Sequence, residues 1–337
     1  MGNFNLRQIL YGKESSHGAG AAATHMWLGQ LNTLGQNVKP KYPNENFGRK
    51  VAARRGIAGK SLYNGTLLAE DGCFQHLPVG FGCGLKGGVT ATETTSLQHD
   101  YAWNFTPSLT TANNPDSLAL QQGDDAQAWL SVYTMFEKYH ISGDITQGVG
   151  GDPVKLEFDY FGRSLTETTF TPSIAPPTNM EAMNAKLARL WLDTSWANVG
   201  TTEMAGLLQT FDIEVIPGVH PVFRGSANKY FDKHSEGLLS VMGTFTLEGG
   251  AEAKALLEYL QAQSLVVAQF EILGNQIGTG VNSKFEMQFG GMVETTDPLA
   301  SQDRGDTLST VTLHGILDPT ADKVLDQLNV ITDINAY

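Results

Sequence analysis

What most restricts this chain is an alternation of period two that recurs from one end to the other. In "VKLEFDYF", Leu156, Phe158 and Tyr160 alternate with Lys155, Glu157 and Asp159, the pattern of a strand with one face in a core and the other in water. "YAWNF" puts Tyr101, Trp103 and Phe105 on one side, and "FDIEV", "GTFTL", "SLVVAQFEIL", "KFEMQF" and "TLSTVTLHGIL" carry the pattern through the second half. Both halves must therefore be built on sheets. Composition points the same way: charged residues make up 17%, below the usual quarter or so, and 37 glycines favour strands and turns over long solvated helices. At 337 residues the chain is long for one core and suggests two domains.

Few stretches read as helix. "EAMNAKLARLWLDTSW" places Met183, Leu187, Leu190 and Trp191 on one helical face. "GGAEAKALLEYLQAQ", with Leu256, Leu257 and Leu260, is a second candidate, and "PTADKVLDQL" opens a third after Asp318 as N-cap and Pro319 at the first helical position. The breaker-rich "TPSIAPPTN" marks a domain boundary, and "YGKESSHGAGAAATHMWLGQL", lacking either periodicity, reads as an extended arm. The expected organisation is an arm over residues 1–30, a first domain over 31–172, a linker and helix over 173–200, and a second domain over 201–337.

The halves also resemble each other. "GTLLAEDG" from Gly65 lies beside "GTFTLEGG" from Gly243, and "KLEFDYFG" from Lys155 lies beside "KFEMQFGG" from Lys284. The spacing differs between the two matches, so the chain reads as one domain written twice, the first copy carrying an insertion around "TPSLTTANNPDSLALQQGDD".

Chemistry is hard to find. In "VGFGCGLKGGV", Gly82, Gly84 and Gly87 have the spacing of a dinucleotide-binding turn, but neither the strand before nor the helix after is indicated. A Ser or Thr after Lys86, which a phosphate loop needs, is missing. The stretch reads as a connection leaving a helix. Cys73 and Cys83 form no framework and read as small buried residues. The eight histidines have no metal-ligand spacing. Acid pairs such as Asp124 with Asp125, Glu157 with Asp159, and Asp303 with Asp306 read as solvated faces rather than as catalytic carboxylates or a calcium loop. No catalytic, metal or cofactor site is expected. The first ten residues carry no basic region followed by an apolar run, and no run of about 18 apolar residues occurs, so a soluble chain with no membrane partner is expected.

The net charge of −13 opposes sequence-independent nucleic-acid binding. It is unevenly spread, with −2 over residues 1–178 and −11 over residues 179–337. Lys39, Lys41, Arg49, Lys50, Arg54, Arg55 and Lys60 form a basic run opposed only by Glu45, suited to an acidic surface on a neighbouring copy.

Several of these stretches resemble the tail-tube (major tail) proteins of long-tailed bacteriophages: "LYGKESSHGAGAAAT", "RRGIAGKSLYNGTLLAEDGCFQHLPVGFGCGLKGG", "WNFTPSLTTANNPDSLALQQGD" and "VKLEFDYFGRSLTETTFTP". The resemblance covers most of the first half. It implies a mainly β fold with flanking helices, here two tandem antiparallel β-sandwich or partial-barrel domains, and a structural role in the virion rather than an enzymatic one. It further implies subunits joining edge to edge in rings of six domains, hence three chains, stacked into a hollow tube assembled in the host cytoplasm. The implied partners are the chain itself, a tape-measure protein, and terminator and baseplate proteins, with DNA passing unbound through the lumen. On that basis Lys39, Lys41, Arg49, Lys50, Arg54 and Arg55 are candidate ring-stacking residues, and Glu157, Asp159 and Glu286 are candidate lumen-facing residues. A β-rich decoration or carbohydrate-binding protein, using an exposed Trp27, Trp103 or Trp196 as a stacking platform, is the alternative.

Overall fold

Wherever the sequence alternates, the chain is extended and paired antiparallel with a neighbour, and the apolar face of each strand is buried. The computed structural model describes residues 7–38, 40–44, 55–57, 59–95, 98–105, 111–146, 152–225, 229–303 and 306–333. The fold is mainly β, and every pairing between its named strands is antiparallel.

The first half contains β1 (Gln8–Lys13), β2 (His25–Met26), β3 (Gln30–Val38), β4 (Ser61–Ala69), α1 (His76–Gly82), β5 (Thr92–Thr95), β6 (Gln98–Trp103), β7 (Leu118–Gly123), β8 (Ala128–Asp144), β9 (Lys155–Gly162) and β10 (Ser164–Thr168). The second contains β11 (Ala188–Asp193), β12 (Leu208–Ile216), β13 (His220–Val222), β14 (Lys233–Ser235), β15 (Ser240–Glu248), α2 (Ala251–Ala262), β16 (Leu265–Gly278), β17 (Val281–Asp303), β18 (Asp306–Gly315) and β19 (Leu325–Thr332).

The same pairing scheme occurs twice. In the first half β1 pairs with β7, and β7 with the leading part of β8, whose other side takes β10. The trailing part of β8 pairs with β9, β9 with β4, and β4 with β3. In the second half β11, β16, the leading part of β17 and β19 repeat the first set. The rest of β17, with β18, β15 and β12, repeats the second. Even the irregularities agree: β8 slips against β9 between Phe136 and Lys138, and β17 slips against β18 between Val293 and Thr295, leaving Glu137 and Glu294 as the extra residues.

These registers test the two sequence matches. Gly65 pairs with Leu34 and Tyr160, and Gly243 with Ile213 and Leu313, so the two glycines are equivalent. The second match fails, because "KLEFDYFG" is β9, whose counterpart is β18, while "KFEMQFGG" lies in β17, the counterpart of β8. Any half-buried strand ending in glycine looks like its neighbour over six residues. The extra residues of the first half, 83–117, lie between α1 and β7, against residues 263–264 between α2 and β16, whereas the stretch expected to be inserted runs on through β7, which has its counterpart in β16. The hairpin of these extra residues, β5 with β6, crosses to the second half, where Tyr101 pairs with Val330 of β19.

Four expectations are corrected. The glycine stretch is not a connection leaving a helix, since α1 runs through Val79 to Gly82 and all seven of its residues are buried. Gly80 and the following Gly84 let it press against the sheet: a Cβ on Gly80 would stand 2.9 Å from the Phe158 ring, and one on Gly84 would stand 1.9 Å from the Tyr139 hydroxyl and 2.5 Å from the Phe136 carbonyl oxygen. The amphipathic stretch after the prolines is β11 with short 3-10 turns at 185–187 and 196–198; Leu190, Trp191 and Leu192 are all buried because β11 is covered on both faces, whereas Leu187 is exposed. Asp318 caps a tight turn, accepting from the Thr320 and Ala321 amides, and β19 follows in place of the third helix. The arm is anchored, with Ile9, Leu10 and Tyr11 of β1 buried. The expected helix at "GGAEAKALLEYLQAQ" is α2.

One apolar cluster runs through both halves, from Phe81, Phe136, Tyr139 and Phe158 to Phe211, Phe245, Phe270 and Phe285. Each such ring, fully buried, stabilises the fold by about 1.5–3 kcal/mol.

Candidate assembly interface

The halves are joined by backbone pairing: Tyr139 to Asp144 on β8 lie opposite Val215 to Thr210 on β12. The register is set by burial. Tyr139, Ile141, Phe211, Ile213 and Val215 are at most 2% exposed and point into the common core, so a slip of one residue would turn them all into water. Gly143 makes room for the Phe211 ring across the joint, since a Cβ there would sit 2.5 Å from it.

The opposite face of the joint is polar. Lys138 Nζ lies 2.5 Å from a Glu214 carboxylate oxygen, and His140 Nε2 lies 2.5 Å from Asp212 Oδ1. The hydrogen bond to Glu214 raises the Lys138 pKa, and the one to Asp212 raises that of His140, with burial opposing both. Burial, helped by the charge of Asp159, raises the pKa of Glu137. The same face continues onto β15 and β18 as two threonine pairs, Thr244 with Thr312 and Thr246 with Thr310, at 3.2 and 3.3 Å.

Glu157 and Asp159 lie on this polar face. Glu157 is opposite His140 and within 4.0 Å of Lys155, while Asp159 is opposite Lys138 and accepts from the Thr66 hydroxyl. Glu286 differs from them. It is only 7% exposed, holds Lys284 at 2.6 Å and accepts from Gln288, so in the single chain it is closed off from water. Of the basic residues, Lys41 and Arg55 are exposed at the base of the segment between β3 and β4, and Lys60 sits over the Phe223 ring at 4.5 Å. Lys39, Arg49, Lys50 and Arg54 lie outside the described residues.

The joint residues themselves were missed by sequence reasoning. The signal was present: "MFEKYH" and "MVETTD" share Met and Glu at one spacing, Met135 with Met292 and Glu137 with Glu294, and both pairs flank the equivalent bulges.

Other candidate chemistry lies in the core. Cys73 and Cys83 are buried; burial, with the charges of Asp71 and Glu181, pushes the Cys73 thiol up to about 11, and burial first, with the charges of Asp116 and Glu14 opposed by Lys13, carries that of Cys83 well above the usual thiol range. Such thiols are poor nucleophiles. Buried His76, stacked on Trp27 at 4.1 Å, is depressed by burial to about 3. Trp27 and Trp103 are 3% and 1% exposed, so neither offers a stacking platform.

Two edges end the run of strands β3, β4, β9, β8, β12, β15, β18 and β17. Among the described residues β3 has β4 as its only strand partner, and β17 beyond Met292 has only β18. Pro298 lies in that part of β17, where an edge tolerates a residue with no N–H.

No protein-family model and no curated protein sequence matches the chain. Among solved structures it is similar to the tail tube of SPP1, a hybrid structure from solid-state NMR and cryo-EM, with a TM-score of 0.31 and 13% identity over 46% of this chain and 81% of that one.

Proposed function

We propose that the chain is a structural virion protein that joins head to tail with copies of itself into closed rings, which stack into a hollow tail tube through which DNA passes. The observation that carries this reading is the joint between β8 and β12. It is heterologous: β8, at one side of the first unit's sheet, meets β12, at the opposite side of the second's, and among the described residues β3 and the trailing part of β17, the equivalents of β12 and β8, each keep one edge free. Repeating the operation sets β17 of one chain against β3 of another. In that register Thr296 lies opposite Gln36 and Asp297 opposite Gly35, as Tyr139 lies opposite Val215 and His140 opposite Glu214. A heterologous contact closes into a ring or runs on as an open filament, and closure removes both free edges.

The polar face then becomes continuous around the ring. Its acidic excess, from Glu157, Asp159, Asp212 and Glu214 against Lys138, Lys155 and His140, suits a surface that DNA phosphates slide past without sticking. Three chains per ring, and tape-measure, terminator and baseplate partners, follow from the tail-tube resemblance. The decoration or adhesive reading loses Trp27 and Trp103, which are buried, and keeps only Trp196, which is half-buried with Lys323 over its ring.

Negative-stain microscopy and light scattering of the purified chain over a concentration series test the proposal. Rings or hollow tubes are expected. A chain that stays monomeric at all concentrations refutes it.

A further inference from the structure

We infer that the described ends of the basic segment between β3 and β4, residues 40–44 and 55–57, reach sideways as an arm across the β17 and β18 face of the neighbouring chain, with Asn44 seated over Leu238. This rests on the ring reading above but makes the segment a contact within a ring, not one between stacked rings.

The second unit already displays such an arm. Between β12 and β15 the chain leaves the sheet, forms the hairpin of β13 and β14, and lies across the first unit. Val219 and Phe231 join Tyr133, Met135 and Phe161 in a separate apolar cluster. Arg163 donates to the Phe231 and Asp232 carbonyls at 3.0 and 2.7 Å. The Ser61 amide donates to the Lys229 carbonyl at 2.8 Å, and Phe223 lies under Lys60. Glu236 accepts from the Asn113 and Asn114 amides.

The first unit has an antiparallel bridge at the same place. In the second, the sheet's last rung is Ile216 with Ser240 and the arm's first rung is His220 with Ser235; in the first, the corresponding rungs are Asn37 with Leu62 and Lys41 with Ile57. Each arm therefore begins four residues on and five residues back. In its own chain the first arm has no preceding unit to cover, because β3 is the free edge. Val38, Tyr42 and Ile57, at 46%, 67% and 51% exposure, are left in water around its base.

The equivalences also say where it lands. Lys60, which Phe223 meets, corresponds to Leu238, the most exposed large apolar side chain described, at 92%. Met135 corresponds to Met292 and Phe161 to His314. Exposed Leu317 and the Glu294 carboxylate border this face. Lys41 and Arg55, exposed at the base of the segment, complement it in charge. The residue of the arm that takes the place of Phe223 is Asn44.

The test is a full-length chain carrying Asn44→Cys and Leu238→Cys, both exposed positions, in a protein whose native cysteines are buried. It is oxidised and run on a non-reducing gel, with circular dichroism confirming the fold. Covalent multimers that form even in fractions of single, unstacked rings, and that reductant dissolves, are expected; Leu238→Asp should leave the fold intact and abolish rings. Wild-type rings with no cross-link, or with cross-links confined to stacked tubes, would overturn the inference while leaving the ring reading standing. A wild-type chain that never self-associates removes both.

Discussion

Replacing Gly84 by alanine should damage the joint from beneath. The added methyl would stand 1.9 Å from the Tyr139 hydroxyl and 2.5 Å from the Phe136 carbonyl oxygen. The first can yield only by giving up its 2.7 Å hydrogen bond to the Gly80 carbonyl, and the second only by bending β8 just before it meets β12. Overpacking costs about 1–3 kcal/mol and a displaced buried hydroxyl a further 1–3 kcal/mol or so, giving about 2–6 kcal/mol together. That is a large part of a typical domain stability of about 5–15 kcal/mol. Tyr139→Phe alone should cost only about 1 kcal/mol, because the Gly80 carbonyl keeps the Cys83 amide as a donor. The double variant should be less destabilised than the two single costs added, by about 1–3 kcal/mol, because the hydroxyl overlap has gone. Urea unfolding followed by tryptophan fluorescence is suited to this, since Trp27 stacks on His76 and Trp103 meets the Phe81 ring edge-on, both on α1. A Gly84→Ala chain within about 0.5 kcal/mol of wild type, or strict additivity in the cycle, would refute the reasoning.

Two further outcomes are expected. The His140 pKa is raised, first by its hydrogen bond to Asp212, so its contribution to the joint is complete below the ordinary histidine value of about 6.5 and is lost as pH rises through the raised one; the urea midpoint should fall over that range in wild type and lose that component in His140→Gln. Arg163→Ala removes both charge-assisted bonds to the Phe231 and Asp232 carbonyls, loosening the second arm by about 2–3 kcal/mol; limited trypsin digestion should then cut at Arg224, Lys229 or Lys233 while β12 and β15 stay intact, whereas equal resistance in wild type and variant would contradict the clasp.

Half-buried strands were the legible part of this chain. The polar residues of β9 carry its alternation into water and its aromatic residues carry it into the core, so the period of two is printed in the sequence. α2 was equally readable, having one apolar stripe. α1 was not, because a helix buried on every side has no stripe, and glycine at two positions argues against helix on propensity alone; close packing against Phe158 and Tyr139 overrides that cost. Leu77, Phe81 and Leu85, spaced by fours, were the available hint. β11 misled in the opposite sense: covered on both faces, it buries consecutive residues, and such a run imitates a helical stripe. The joint was illegible for a different reason. Lys138, His140, Asp212 and Glu214 look like ordinary solvated charges until the two strands are side by side.

Fusing two units through β8 and β12 has an arithmetic consequence. A free unit with two complementary edges can close into rings of five, six or seven with little change in the angle between neighbours, and a population of rings would then be mixed. A chain that brings its units in pairs forbids every odd number. In the proposed ring the step from one allowed size to the next would become two units wide, so that parity would add to the shape of the contact in narrowing the range of bores.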